Sequence, residues 1–191
     1  MTSRSPDRAV LLTPGAGAGR DQPALVAVER ALDPVPVERM DFPYRKAGRK
    51  SPDRPPVLVG AVGDGAAELA ARTGLASERL VLGGRSMGGR ICSIAVAEGL
   101  PALGLALISY PLHPPGKPDR MRTEHFPQLD VPCLFLSGTR DAFGRVDELE
   151  AATKAIPGAV THHWLDGGDH GLRRRDADVA AIVKEWVFSL R

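Results

Sequence analysis

The chain has 191 residues, 43% of them hydrophobic, and 25 Lys and Arg against 23 Asp and Glu give a formal net charge of +2. That length can bury one sizeable core and predicts a single domain over residues 1–191, while scattered arginines and balanced charge exclude a strong field toward nucleic acid or an anionic membrane. No apolar run is long enough to cross a bilayer, Met1 to Arg8 has no apolar segment behind its charges, and Cys92 and Cys133 are too few for a disulfide framework, so a cytoplasmic protein with two buried free thiols is expected.

Ala9 to Thr13 is a short apolar run ended by Pro14-Gly15-Ala16-Gly17-Ala18-Gly19, and helical spacing follows from Pro23 to Leu32. Val35 to Phe42 is predicted as the next strand, its proline near the start, where an edge tolerates the lost donor. Tyr44 to Pro56 carries Arg45, Lys46, Arg49, Lys50 and Arg54 and reads as a solvated connection that could help bind an acidic group. Val57 to Thr73 is a predicted helix despite Gly60, Gly63 and Gly65. A strand over Arg79 to Gly83, a helix over Ile91 to Glu98 and a nearly continuous apolar strand over Leu103 to Tyr110 come next. Pro111 to Pro127 is rich in proline and charge and too short for a separate lid domain. A strand over Pro132 to Ser137, a helix over Val146 to Ile156, a strand over Val160 to Leu165 and an amphipathic helix over Ala177 to Leu190 complete the chain. The alternation, with no internal repeat, predicts an α/β fold: a doubly wound, mostly parallel sheet of about six strands with right-handed crossovers.

Gly84-Arg85-Ser86-Met87-Gly88 lies between a strand and a helix. It fits G-x-S-x-G, in which a serine occupies a strained turn that flanking glycines let close, and in which the helix that follows directs its positive end at the serine. The simpler meaning of the pentapeptide is a glycine-rich turn in any parallel-sheet protein. Two further strand ends bear on the choice, because functional groups in such sheets gather outside the carboxyl ends of the strands. Gly138-Thr139-Arg140-Asp141 follows one, and Asp166-Gly167-Gly168-Asp169-His170-Gly171 follows the other. A serine hydroxyl needs an imidazole as general base, and the imidazole needs a carboxylate to fix its tautomer; Ser86, Asp141 and His170 stand in the chain order that supplies all three.

Each member has a competitor. Asp141 could simply cap a turn, His162 and His163 compete with His170 but lie inside a strand, and Asp166 and Asp169 are rival acids. An aspartate adjacent to the histidine is poorly placed to reach its far ring nitrogen, which ranks Asp169 as a solvated or capping residue. The amides of Met87, after the serine, and of Ala16, in the glycine loop, are the expected oxyanion donors. Gly15-x-Gly17-x-Gly19 with Asp41 also resembles a dinucleotide-binding fingerprint, but the spacing is not G-x-G-x-x-G and Arg20-Asp21 occupies the turn.

Thr13-Pro14-Gly15-Ala16-Gly17, Gly84 to Arg90, Tyr110-Pro111-Leu112-His113-Pro114-Pro115-Gly116-Lys117, Gly138 to Asp141 and Gly168-Asp169-His170 together extend over nearly the whole chain. In these segments the sequence resembles a small, lidless α/β-hydrolase of the dienelactone-hydrolase-like kind. Within that kind it resembles the family of the testis-expressed hydrolase-like proteins and the hydrolase-like region of a histone-acetyltransferase complex subunit. Pro14 departs from the histidine that often precedes the glycine in hydrolases. The resemblance implies Ser86, Asp141 and His170 as a catalytic triad, and also that some relatives serve as interaction modules.

The expected function is a serine hydrolase acting on a small-molecule ester, thioester or similar acyl compound through an acyl-enzyme, with no metal or organic cofactor. Tyr110, His113 and Phe143, just after strand ends, are candidate substrate-pocket residues that could equally be loop packing, and His113 with Lys117 hints at an anionic substrate group. A non-catalytic interaction module on the same fold and a nucleotide-binding protein are the alternatives; the second predicts a cofactor retained through purification.

Overall fold

The computed structural model describes residues 6–191; Met1 to Ser5, part of the stretch expected to carry no leader, lie outside the described residues. Six strands form one sheet: β1 (Ala9–Thr13), β2 (Val37–Arg39), β3 (Leu80–Arg85), β4 (Gly104–Ile108), β5 (Cys133–Gly138) and β6 (Val160–Leu165). Their order across the sheet is β2-β1-β3-β4-β5-β6, and every neighbouring pair is parallel. The chain moves from β1 outward to β2, then returns past β1 to lay down β3 and the rest. The order therefore reverses between β1 and β3, and at such a point the connections leave in opposite directions and open a crevice.

Side chains on a strand alternate between faces, and in β1, β3, β4 and β5 both faces are dry. Ala9, Leu11, Leu80, Leu82, Leu105, Leu107 and Phe135 enter one core, while Val10, Leu12, Val81, Ala106, Ile108, Leu134 and Leu136 enter the other. Helices α3 (Pro55–Thr73), α4 (Met87–Ala97) and α5 (Val146–Thr153) cover the first face through Leu58, Val62, Ala66 and Leu69, Ile91 and Ala95, and Leu149. Helices α1 (Pro23–Leu32) and α6 (Asp176–Ser189) cover the second through Leu25, Val28 and Leu32, and Val179, Val183 and Val187. The i, i+3, i+4 spacing of these residues is the sequence property that puts one apolar stripe on each helix. Among the described residues no helix is long and apolar enough to cross a membrane, and no cap domain interrupts the sheet.

Several elements differ from expectation for identifiable reasons. The strand expected over Val35 to Phe42 shrinks to three half-buried residues, because β2 is an edge that pairs with β1 only from Val37 to Arg39. Helix α3 starts two residues early, with Pro55 and Pro56 in its first turn, where a missing N–H costs nothing. Gly60 and Gly63 face open space, so the helix loses no packing there. Helix α4 begins at Met87 rather than Ile91, since Gly88 and Gly89 belong to its tightly packed first turn. The stretch expected as a solvated connection contains a short helix α2 (Pro43–Lys46), and its Tyr44 is fully buried. From Pro111 to Pro127 the chain is irregular up to a single 3-10 turn at Phe126–Gln128.

The ends of β5 and β6 come together closely, backbone against backbone, with Thr139 Oγ1 bridging the Gly167 N–H and Asp166 beside them. A Cβ placed on Gly138 would stand 2.8 Å from Gly168 Cα and nearer still to its carbonyl, and Arg140 N–H donates to Gly168 O at 2.8 Å. Gly138→Ala is therefore expected to cost about 1–3 kcal/mol by overpacking, read as a lower urea midpoint; a variant as stable as wild type would show that the two loops can part freely. Cys92 and Cys133 are both free and buried, and burial pushes each thiol up to about 12. Neither should react with an aromatic disulfide reagent in native buffer at pH 8, whereas both should titrate once denaturant is added.

Candidate active site

The turn from β3 into α4 is built by what its neighbours cannot accommodate. Ser86 has φ 52° and ψ −117°, a conformation a side chain rarely adopts. A Cβ on Gly88 would lie 2.6 Å from Pro14 O, and one on Gly89 would lie 2.7 Å from Gly84 O. Gly84 pairs with Thr13 across β1 and β3, and Thr13 is wholly buried with its Oγ1 donating to Gly83 O at 3.0 Å. The glycines let the β1 exit press onto the turn, and the turn in exchange projects the Ser86 hydroxyl above the sheet.

His170 Nε2 stands 2.8 Å from Ser86 Oγ, and His170 Nδ1 stands 2.9 and 2.8 Å from the two carboxylate oxygens of Asp141. A carboxylate only accepts, so Nδ1 carries the proton and Nε2 presents its lone pair to the serine hydroxyl. Asp141 is 2% exposed, and its Oδ1 also accepts the Phe143 N–H at 2.8 Å. The Phe143 ring stacks on the imidazole with centroids 4.0 Å apart. Three of the residues singled out in the sequence, from the ends of three different strands, thus meet in one hydrogen-bonded row.

The rival acids lie elsewhere. Asp166 accepts from Thr139 Oγ1 at 3.2 Å, and Asp169 is exposed, its carbonyl accepting the Leu172 N–H. His162 bonds Thr153 Oγ1 at 3.0 Å, away from the row. Asp41, the acid of the dinucleotide reading, is turned onto the Arg20 N–H at 2.7 Å and so closes the glycine loop on itself.

The loop after β1 is fixed peptide by peptide. Gly15 N–H donates to Gln22 Oε1 at 3.1 Å, Gly15 O accepts from Ala18 N–H at 3.0 Å, and Ala16 O accepts from the Tyr44 hydroxyl at 2.8 Å. In a trans peptide N–H and C=O point in opposite directions, so anchoring Gly15 O aims the Ala16 N–H the other way. Among the described residues, neither the Ala16 N–H nor the Met87 N–H has a backbone or side-chain acceptor.

A cleft of about 560 Å³ opens here, bordered by Gly15 to Ala18, Gln22, Arg85, Ser86, Met87, Arg90, Pro111, Arg122, Phe143 and His170. Phe143 is on its wall, as expected of a pocket residue. Tyr110 and His113 are not: both are buried behind it. The Tyr110 hydroxyl donates to Arg122 O at 2.7 Å, while His113 N–H donates to Phe143 O at 3.0 Å and its ring reaches Pro114 O and Glu148. Position after a strand end put these two at the right height in the sheet, but their side chains turn into the core. Arg85, the last residue of β3, occupies a variable position of G-x-S-x-G, and nothing in the local pattern marks it. It is 9% exposed and donates to the His170 carbonyl; burial holds its guanidinium below the usual arginine value, opposed by Asp141, Asp176 and Asp169. Among the described residues, no group of three or more His, Cys, Asp or Glu side chains is set to hold a metal ion.

Solved structures share this architecture over almost the full chain. A dienelactone hydrolase from Anabaena variabilis superposes with TM-score 0.78 at 18% identity, covering 97% of this chain and 88% of its own. Est1E from Butyrivibrio proteoclasticus gives 0.78 at 13% identity, with 98% and 90% covered. An alpha-beta serine hydrolase homologue from Coxiella burnetii gives 0.77 at 14% identity, with 96% and 86% covered. These likenesses establish the fold, and the sequence model of one family matches residues 6–186 directly: the chain belongs to the alpha/beta hydrolase domain family.

Proposed function

We propose that the protein is a serine hydrolase that cleaves an ester, thioester or similar acyl bond by way of an acyl-enzyme. The observation that carries this reading is the row Ser86 Oγ, His170 Nε2, His170 Nδ1, Asp141, each link at 2.8–2.9 Å. Ser86 Oγ attacks the acyl carbon while its proton passes to His170 Nε2, and Asp141 holds the resulting imidazolium. The carbonyl oxygen becomes an oxyanion that accepts from the Ala16 and Met87 amides at the positive end of α4. Collapse breaks the bond to the alcohol or thiol, which leaves with the proton from His170. A water then gives a proton to Nε2 and attacks the acyl-serine, releasing the acid and restoring Ser86. No electron changes hands, and the proton cycle closes on His170.

The same motifs support grouping the chain with the testis-expressed hydrolase-like proteins. A non-catalytic interaction module on this fold is the alternative, and an intact Ser86, His170 and Asp141 weighs against it, since folding alone does not require all three.

Labelling by a fluorophosphonate probe, followed by intact mass, tests the reading. One adduct is expected on wild type, none on Ser86→Ala, and a rate at least about 100-fold lower on His170→Ala. A folded wild type that stays unlabelled, or a Ser86→Ala that labels normally, would sink it. Tyr44→Phe removes the brace on the Ala16 carbonyl and is expected to lower kcat on 4-nitrophenyl acetate by about 2- to 10-fold with little change in KM. A wild-type kcat in that variant would mean that the loop holds its shape without the hydroxyl.

A further inference from the structure

Three arginines border the cleft beside Ser86, and they differ in how their charge is met. Arg85 donates to the His170 carbonyl and lies in the field of Asp141, Asp176 and Asp169. Arg90 and Arg122 have no carboxylate within 4 Å among the described residues. Asp119 and Glu124 share an adjoining outer depression with Arg122 without reaching its guanidinium. Arg90 stands one turn beyond the nucleophile on α4, its N–H donating to Ser86 O at 3.1 Å, and its Nε is buried with no hydrogen-bond partner.

Arg122 is held in place although it sits in an irregular loop. Its N–H donates to Leu112 O at 2.9 Å, its carbonyl accepts the Tyr110 hydroxyl at 2.7 Å, and its Nη1 reaches Pro111 O at 3.4 Å. Burial lowers its guanidinium from the usual arginine value, and the charge of Arg90 lowers it further. The neighbouring His125 adds no cation near neutral pH, since burial first and Arg90 second push it down to about 4. Two like charges that border one partly dehydrated cleft and feel each other's field, without a counter-ion, are a cost that a bound anion removes.

We propose that Arg90 and Arg122 form an anion subsite next to Ser86, and that the substrate is a small acyl ester or thioester that also carries a carboxylate. The proposal rests on the hydrolase reading and names the substrate class for the same site. A cleft of about 560 Å³ lies within the range of about 300–1,000 Å³ that encloses small ligands. Charge-assisted bonds from planar guanidinium forks recognise a carboxylate with directional fit, which a neutral ester end cannot reproduce.

The test compares kcat/KM for 4-nitrophenyl hydrogen adipate with that for 4-nitrophenyl methyl adipate, which differ only in whether the far end is a carboxylate or a methyl ester. Wild type is expected to prefer the carboxylate by about 10- to 100-fold, Arg90→Gln and Arg122→Gln to bring the ratio toward one, and Arg122→Lys to restore part of it. Arg120→Gln, which removes a charge outside the cleft, should leave the preference above tenfold. Binding of monomethyl adipate to Ser86→Ala by calorimetry supplies a readout free of turnover. If both esters are cleaved at similar rates and the arginine variants do not change the ratio, the subsite is wrong while the hydrolase reading stands. If neither ester is cleaved but Ser86→Ala binds monomethyl adipate and loses it with Arg90→Gln or Arg122→Gln, the subsite stands and the hydrolase reading fails. Absence of both cleavage and binding overturns the subsite as well.

Discussion

The whole site hangs on one steric constraint, the approach of the β1 exit to the turn after β3. Thr13 and Pro14 lie where any side chain on Gly84 or Gly88 would collide with them. Because those glycines carry no side chain, β1 and β3 run side by side to the end of β1, Thr13 opposite Gly84, and the chain then reverses sharply at Ser86. The positive φ of Ser86 is the strain this leaves behind, and the packing of Thr13, Gly83 and Cys92 beneath it maintains that strain. From the same contact the glycine loop inherits its position across from the serine. The Ala16 amide of that loop and the Met87 amide of α4, neither with an acceptor among the described residues, therefore border one crevice.

A second set of constraints places the imidazole. The Gly138 and Gly168 backbones touch, the Arg85 guanidinium grips the His170 carbonyl, and Phe143 covers the ring. Held from beneath, beside and above, His170 has its geometry set before any ligand arrives. Preorganisation of that kind spares the ordering cost that a flexible base would meet during reaction.

What the sequence made legible follows from where information is local. Apolar runs and helical stripes fixed the element order, and glycine-flanked strand ends located Ser86, Asp141 and His170, because each depends on residues adjacent in the chain. The edge strand β2 was overread, since its extent depends on how far β1 offers partners and not on its own composition. Tyr44 sat inside a basic, proline-rich stretch whose average polarity concealed one buried ring that reaches back to Ala16. Tyr110 and His113 were placed at the correct sheet edge but on the wrong side of the wall, because a strand-end position does not say which way a side chain turns. Arg90 on a helix and Arg122 in a loop far along the chain border the same cleft, and no periodicity reports that.

The shortness of β2 has a bearing on how copies of the molecule meet. An open parallel sheet leaves unpaired backbone groups along each outer strand, a natural template for another chain. On β2 only three residues are offered, and two of them are charged and already engaged: Glu38 with Arg72, and Arg39 with Asp21 and Glu29. At the other margin β6 carries exposed Thr161 and His163, and its Trp164 indole is bonded to Glu150. A foreign strand would have to break ion pairs at one margin and find little apolar surface at the other. Such edges disfavour strand-by-strand aggregation and leave the crevice end of the sheet as the surface best built for encounters.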